Sequence, residues 1–294
     1  MTKLLLPRGY RNAERLEQRL HEESEYSFVR RGERRAYNLF HAMAVRVPAY
    51  KMFLREHRVN PADIKTPADL HKVPTIDKDN YLRKYTHADL SWDGDFAHGR
   101  HVISTTSGST GEPYYFPRET LQDWQYAVSA ELYLRGNFEI HKKSTLYIVA
   151  FPMGAWIGGL YTYEALKILA DNGDYDLSII TPGIHKKEVI SAVKQLGKSF
   201  DQVIIGAYAP FLKDIIDDGE QAGVNWSDYD LGFVFSAEAF SEKFRDYIIQ
   251  KAKPKNIYTA SLNHYGTVDI GTMAHETPES IMIRRLLVEQ KKLQ

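Results

Sequence analysis

The sequence predicts an α/β protein in which a helical N-terminal region precedes a parallel β-sheet flanked by helices. Two observations carry this. Beyond residue 144, short β-rich apolar runs alternate with helical stretches of about ten to fifteen residues, the pattern of βαβ units wound around a parallel sheet. Before residue 60 the chain is heavily charged, and its apolar residues recur at the three- and four-residue steps of a helix.

Taken in order, residues from about 12 to 60 read as helix, with Tyr37, Phe40, Ala44 and Val47 on one apolar face. Pro48 ends or kinks that helix, because its ring removes an N–H and crowds the preceding turn. From about 61 to 100, PADIKTPADLHKVPTIDKDNYLRKY alternates prolines with short helical pieces, as in an extended segment wrapping a core. After residue 144, TLYIVAF is a buried strand, GGLYTYEALKILADNG a helix ending on Gly173, and DLSIITPG a second strand. The helix KKEVISAVKQLG, the strand QVIIGA, the helix APFLKDIIDDGEQAG, the strand LGFVFS, the helix SEKFRDYIIQKAK and the strand NIYTAS follow. Such sheets place ligands at the carboxyl ends of their strands. The informative loops are then FPMGAW, GAYAP, FSAEAF and SLNHYGTVD.

Composition bounds the function. Lys plus Arg equals Asp plus Glu at 38 each, so no net field draws the chain to nucleic acid or to a membrane surface, and small ligands are expected. There is no cysteine, which excludes disulfides, thiolate zinc sites and a cysteine nucleophile. The longest apolar run, around LYIVAF, is far short of the ~20 residues of a bilayer span. The N-terminal MTKLLLPRGYRNAERLEQRL turns polar too early for a signal peptide and carries acids that a transit peptide avoids. A cytoplasmic location is expected.

The stretch TTSGSTGEPYYF, Thr105 to Phe116, combines glycines that permit close backbone approach with short hydroxyl donors. It can cradle phosphate or simply turn a corner; both need Gly and Ser. It lacks the GxxxxGK of the common ATPase loop and the GxGxxG of dinucleotide folds. His98 and His101 are spaced i,i+3 but flank a glycine, and Asp217, Asp218 and Glu220 form an acidic group whose ordinary reading is solvated surface.

Thr106, Ser107, Gly108, Ser109, Thr110, Gly111 and Pro113 resemble the TSGSTGxP phosphate loop of adenylate-forming enzymes, the superfamily of acyl-CoA synthetases. Further stretches resemble the phenylacetate-CoA ligase branch with its CapK-like relatives: VPAYKMFL, ADLHKVPTIDKDNYLRK, AYAPFLKDI, SAEAFSEKFRDYI and YGTVDIGTMAHE. They run in family order from about residue 47 to 280. The resemblance implies activation of an aromatic or apolar carboxylic acid by Mg-ATP to an acyl-adenylate, then transfer to coenzyme A. Two alternatives stay open: a non-catalytic nucleotide- or partner-binding remnant, and delivery of the acyl group to a protein or amine.

By the same resemblance Thr106 to Gly111 wrap the β and γ phosphates, with Glu112 standing where such loops usually carry Lys. Tyr265, Gly266, Thr267, Val268 and Asp269 map onto the family's YGxTE. Tyr265 would stack on adenine beside Gly266, Thr267 would contact the α phosphate in place of the Thr that Val268 replaces, and Asp269 would hold Mg²⁺ in place of Glu. Ser236, Ala237 and Glu238 fall at the element lining the adenine site. Phe151, Pro152, Trp156, Tyr208 and Pro210 are candidate walls of the acyl pocket, and His264 is a candidate for orienting the substrate. Residues 1–100 are expected as the helical and extended N-terminal region of an adenylation domain, and 101–294 as its AMP-binding part. The family's C-terminal lid domain is expected to be absent. A truncated edge would then expose apolar surface, so a homodimer or a second chain supplying that domain is the expected macromolecular partner.

Overall fold

The structure is a computed structural model and describes residues 12–106, 112–173 and 175–292. The chain divides into two compact units, residues 18–100 and residues 101–294 together with the segment up to Glu17.

In the unit 18–100, helix α2 (Glu25–Arg46) is opened by Ser24, whose hydroxyl accepts from the N–H of Ser27 at 3.3 Å. Val47 is extended, as the residue before a proline must be, and Pro48 opens helix α3 (Pro48–Glu56) from its first turn. The apolar face is the one its spacing predicts. Phe40, Ala44 and Val47 are buried with Tyr50, Phe53, Leu54, Ile64 and Tyr81, and Tyr37 packs against them. Short helical turns follow between Pro61 and Gly94. Local side chains start them: Asn60 accepts from the N–H of Ala62 at 3.1 Å, Asp69 from Thr66 at 2.8 Å and Asp77 from Asn80 at 2.7 Å.

The second unit holds the sheet; α1 (Ala13–Glu22) spans the division between the units. Strands β1 (Val102–Thr105) and β2 (Tyr115–Arg118) form an antiparallel hairpin that leads into α4 (Thr120–Phe138). There follow β3 (Thr145–Val149), α5 (Ile157–Asn172), β4 (Leu177–Ile180), α6 (Lys186–Leu196), β5 (Gln202–Ala207), α7 (Ala209–Gln221), β6 (Leu231–Phe235), α8 (Glu242–Ala252), β7 (Ser261–Thr267), β8 (Gly271–His275) and α9 (Pro278–Lys292). The sheet order is β4-β3-β5-β6-β7-β8, parallel up to β7, with β8 antiparallel at the edge. The order turns back on itself between β3 and β5. That is the doubly wound arrangement in which ligands bind beyond the strand ends at the reversal.

Alternation along the strands divides the core between the two faces. Tyr147, Val149, Ile204, Val234 and Leu262 pack under α4 and α5, while Ile148, Ile205, Phe233 and Phe235 pack under α6, α7 and α8. Each such buried side chain contributes about 1.5–3 kcal/mol relative to exposure, so both faces are strongly committed. Helix α9 is held differently. Among its described side chains only Ile281 is fully buried, and Met282, Ile283, Leu286 and Leu287 lie exposed.

Two elements differ from the sequence reading. The predicted strand NIYTAS is instead a turn, because the Asn256 side chain accepts from the N–H of Tyr258 at 2.9 Å and its carbonyl accepts from Ala260 at 3.1 Å. The strand starts where that turn ends, at Ser261, and it includes the HYGT expected in a loop. Helix α4 went unrecognised because its apolar residues, among them Trp124, Tyr126, Val128, Leu132 and Tyr133, spread around the helix without a polar face. Among the described residues no helix is long and apolar enough to cross a membrane.

Candidate functional site

The Ser/Thr/Gly loop springs from the β1–β2 hairpin. Ser107 to Gly111 lie outside the described residues, but both ends of the loop are placed. Thr106 closes the base: its N–H donates to the Tyr114 carbonyl, and its hydroxyl oxygen accepts from the Tyr114 N–H, each at 3.1 Å. Glu112 is exposed. The hairpin is anchored to the loop after β3, where Thr105 N–H donates to the Ala155 carbonyl at 2.8 Å and Thr105 pairs with Trp156 in parallel fashion. A buried ion pair holds its other end. Arg118 Nε lies 2.5 Å from Asp123 Oδ1 and its Nη1 donates to Ser104 Oγ at 2.9 Å.

At the reversal of the sheet, the loops after β3 and β5 carry the predicted pocket aromatics. Phe151 is buried on the α4/α5 face, and Trp156 caps α5 half-exposed. Tyr208 goes elsewhere: the chain leaves β5 for α7 at this residue, and its ring stacks on Phe211, 5.6 Å away, against the core of the opposite face. Pro210 is exposed in the first turn of α7, where a missing N–H costs nothing. Phe151 and Tyr208 thus pack against different core clusters at the ends of the neighbouring strands β3 and β5.

Beyond β6, Ala237 has φ of +74°, a left-handed conformation that a Cβ disfavours, and Glu238 beside it is exposed. The Asn263 side-chain amide reaches the Glu238 carbonyl at 3.4 Å, so this strained loop is tied to β7. On β7 the register slips between Tyr265 and Gly266, a bulge that turns the strand toward its hairpin with β8. Gly266 is required there, since a Cβ would sit 2.5 Å from the Gly271 carbonyl oxygen. Tyr265 stands 65% exposed, a large flat surface with no packing role. Thr267 accepts from the N–H of Ile270 at 3.3 Å, and Val268 and Asp269 form the turn with Asp269 exposed.

His264 points the other way from Tyr265 and is buried. Its ring lies nearly parallel to Tyr126, 6.0 Å away at 11°, and 6.2 Å from Tyr133. Burial, with a smaller contribution from His275, pushes its imidazole down to about 4, so it is neutral at pH 7. The Tyr147 hydroxyl is pushed up by the same burial.

Other candidates resolve into ordinary structure. His98 lies 2.7 Å from Asp95, and His101 3.7 Å from Glu119, so each has its own carboxylate. Asp218 pairs with Lys186 of α6 at 2.6 Å, Glu220 with Lys251 of α8 at 2.5 Å, and Asp217 with Lys213 within α7 at 2.7 Å; these are surface pairs. Among the described residues no group of three or more His, Asp or Glu side chains gathers in metal-binding fashion. Asp269 is thus a single carboxylate, a set that fits Mg²⁺ only where substrate phosphates and water complete the coordination.

The sheet order, the flanking helices and the appended antiparallel edge match solved structures. 2-Hydroxyisobutyryl-CoA ligase, in an open conformation with 2-HIB-AMP and CoA, superposes with a TM-score of 0.64 at 15% identity, over 84% of this chain and 56% of that one. The same ligase in its thioesterification state gives 0.66 at 15% identity, over 88% and 53%. The fold is shared with the part of that ligase that the superposition covers. This chain spans about half the length of that ligase. No protein-family model and no curated protein sequence matches it.

The sequence left unnoticed the side chains that brace these loops: Arg118, Tyr126, Tyr161, Arg245 and Glu276. Only Arg245 carried a signal, a Glu three residues earlier on a predicted helix, and that pattern is common on exposed helices.

Proposed function

We propose that this chain is the nucleotide- and acid-binding part of an adenylate-forming ligase. One observation carries the reading. The fold that carries the loop base at Thr106, the Ala237–Glu238 loop and the Tyr265–Asp269 hairpin superposes on a CoA ligase in complex with 2-HIB-AMP and CoA, which supports the reading. In that reading Thr106 to Gly111 bind the β and γ phosphates of ATP. Tyr265 stacks on adenine along with Gly266, Ala237 and Glu238, and the Thr267 hydroxyl approaches the α phosphate. Mg²⁺, when bound at Asp269, neutralises phosphate charge. A carboxylate oxygen of the acid bonds to the α phosphorus as the bond to pyrophosphate breaks. A thiol then attacks the acyl carbon and AMP leaves. The contribution of these residues is in-line placement and charge stabilisation, since a free carboxylate is a poor electrophile.

Phe151, Trp156, Tyr208, Pro210 and His264 are the candidates for the acyl pocket. An acid of the phenylacetate class and coenzyme A as acceptor are the finer reading, with a protein or amine acceptor as its alternative. A second reading, nucleotide binding without turnover, is favoured by Val268 in the Thr position and Glu112 in the Lys position.

Acid-dependent exchange of labelled pyrophosphate into ATP, with Mg²⁺ and a panel of phenylacetates, benzoates and fatty acids, tests the proposal. Exchange with any acid supports ligase chemistry. ATP binding without exchange in a folded sample favours the second reading, and absence of both removes the nucleotide site.

A further inference from the structure

Between the outer faces of α4 and α5 lies a cavity of about 400 Å³ that takes no part in the candidate nucleotide site. That volume is in the range of small-ligand pockets. Helix α4 supplies one wall through Trp124, Val128, Glu131 and Arg135, which recur at four-, three- and four-residue steps and so share one face. The last residues of α5 and Tyr175 supply a second wall, and Asn12 and Glu14 of the same compact unit close one side. Helix α4 ends before β3 begins, and α5 ends before β4 begins. The cavity therefore sits toward the amino ends of the parallel strands, away from the loops after β3, β5 and β6.

The charges on its lining are unequal. Arg135 is already engaged: its Nη2 donates to Glu14 Oε1 at 2.8 Å and its Nη1 to the Tyr175 hydroxyl at 3.1 Å. Tyr175 in turn donates to Glu131 Oε1, and among the described residues nothing meets Glu131 Oε2. Glu131 thus has a hydrogen bond but no cation. With His141 counted neutral, two carboxylates face one guanidinium, and the surplus negative charge rests on Glu131. Its neighbours along the same wall are apolar or aromatic: Val128 and Ala127 one turn back, and Trp124 a turn beyond them.

An anion gains nothing here, because Glu131 repels it and Arg135 is paired. A cation with an apolar body gains a charge-assisted hydrogen bond to the open Glu131 oxygen, burial of its hydrocarbon against Val128 and Leu169, and attraction to the Trp124 ring. We propose that this cavity is a second small-molecule site that takes a protonated organic amine bearing a compact apolar group. The proposal stands apart from the ligase reading, since none of its residues belongs to the nucleotide or acyl candidates.

The test is calorimetric binding of phenethylamine and of 2-phenylethanol, its uncharged counterpart, to the whole chain at pH 7. The amine is expected to bind at least tenfold tighter than the alcohol, and Glu131→Gln to bring that ratio close to one. Ile168→Trp, which narrows the cavity without changing its charge, should weaken both ligands about tenfold, and it decides the matter if the glutamine variant does not fold. Equal affinities of amine and alcohol in the unmodified protein would overturn the proposal. So would an amine that binds both variants undiminished, because it then lies elsewhere. Absence of amine binding overturns it outright and leaves the cavity to water or to the chain itself. ATP binding, measured separately, bears on the ligase reading alone.

Discussion

Arg245 and Glu276 form a two-pronged ion pair inside the protein, with Nη2 at 2.9 Å from Oε1 and 2.7 Å from Oε2. Arg245 is completely buried, and its remaining donors are used: Nε meets Glu242 at 3.0 Å and Nη1 meets Ser261 Oγ at 2.8 Å. Glu276 also accepts the Asn263 N–H at 2.8 Å, and Asn263 reaches the Ala237–Glu238 loop. One guanidinium therefore ties α8 to the start of β7 and the end of β8.

Removing that guanidinium leaves Glu276 to Arg284 at 3.0 Å and Glu242 to Arg284 and Arg285 at 3.1 and 3.3 Å, so both carboxylates keep a cation but lose their buried donor. Arg245→Met should destabilise the fold by about 1–3 kcal/mol, the cost of buried acceptors left short of a partner. Urea unfolding measures it. A loss below about 0.5 kcal/mol would mean that Arg284 and Arg285 suffice and that the clamp is dispensable.

His264 gives stability a defined pH dependence. Its folded pKa of about 4 lies below the ordinary value of 6.5, so the unfolded chain takes up the proton first as pH falls. The contribution is complete above pH 6.5 and is lost progressively down to about 4, amounting to roughly 3 kcal/mol. Electrostatic interaction with His275 adds to burial in this shift. In His264→Phe that loss is absent, so the stability difference between the two proteins should move in favour of the variant by that amount between pH 7 and pH 4. A flat difference would show an imidazole that titrates normally in the folded chain.

Asp269 separates binding chemistry from folding. It is exposed in the hairpin turn, so Asp269→Asn should change stability by less than about 0.5 kcal/mol. Under the ligase reading the same change should lower acid-dependent pyrophosphate exchange by about a hundredfold or more, the scale of losing a charge-stabilising group. Unchanged exchange would remove the metal role from Asp269.

What the sequence made legible follows its physical signals. Buried parallel strands are continuous apolar runs, so Thr145–Val149 and Leu231–Phe235 were visible directly. SLNHYGT was not, because the half of the strand that pairs only with the antiparallel edge strand β8 need not be apolar and its start was set by the Asn256 turn. The packing of Tyr208 on Phe211 was not legible for a similar reason. It depends on the residue at which β5 gives way to α7, and neither spacing nor composition reports that. The unpaired atoms of His264, Tyr147 and Arg118 come from three distant parts of the chain, and only the packed sheet shows that burial leaves them unbonded.

Gly206 probes the Tyr147 hydroxyl from the sheet side. On the central strand β5 its missing side chain makes room for the Tyr147 hydroxyl and the Phe151 ring, 2.6 Å and 2.9 Å from where a Cβ would sit. Both neighbours are locked in a two-faced core, so Gly206→Ala should destabilise by about 1–3 kcal/mol. Tyr147→Phe alone removes an unbonded buried hydroxyl and should be nearly neutral. In the double variant the closest collision is gone, so part of the alanine penalty should be recovered, giving a coupling of at least about 0.5 kcal/mol in a thermodynamic cycle. Strict additivity would mean that the penalty comes from Phe151 and the backbone, and that the Tyr147 hydroxyl does not depend on Gly206 for its place.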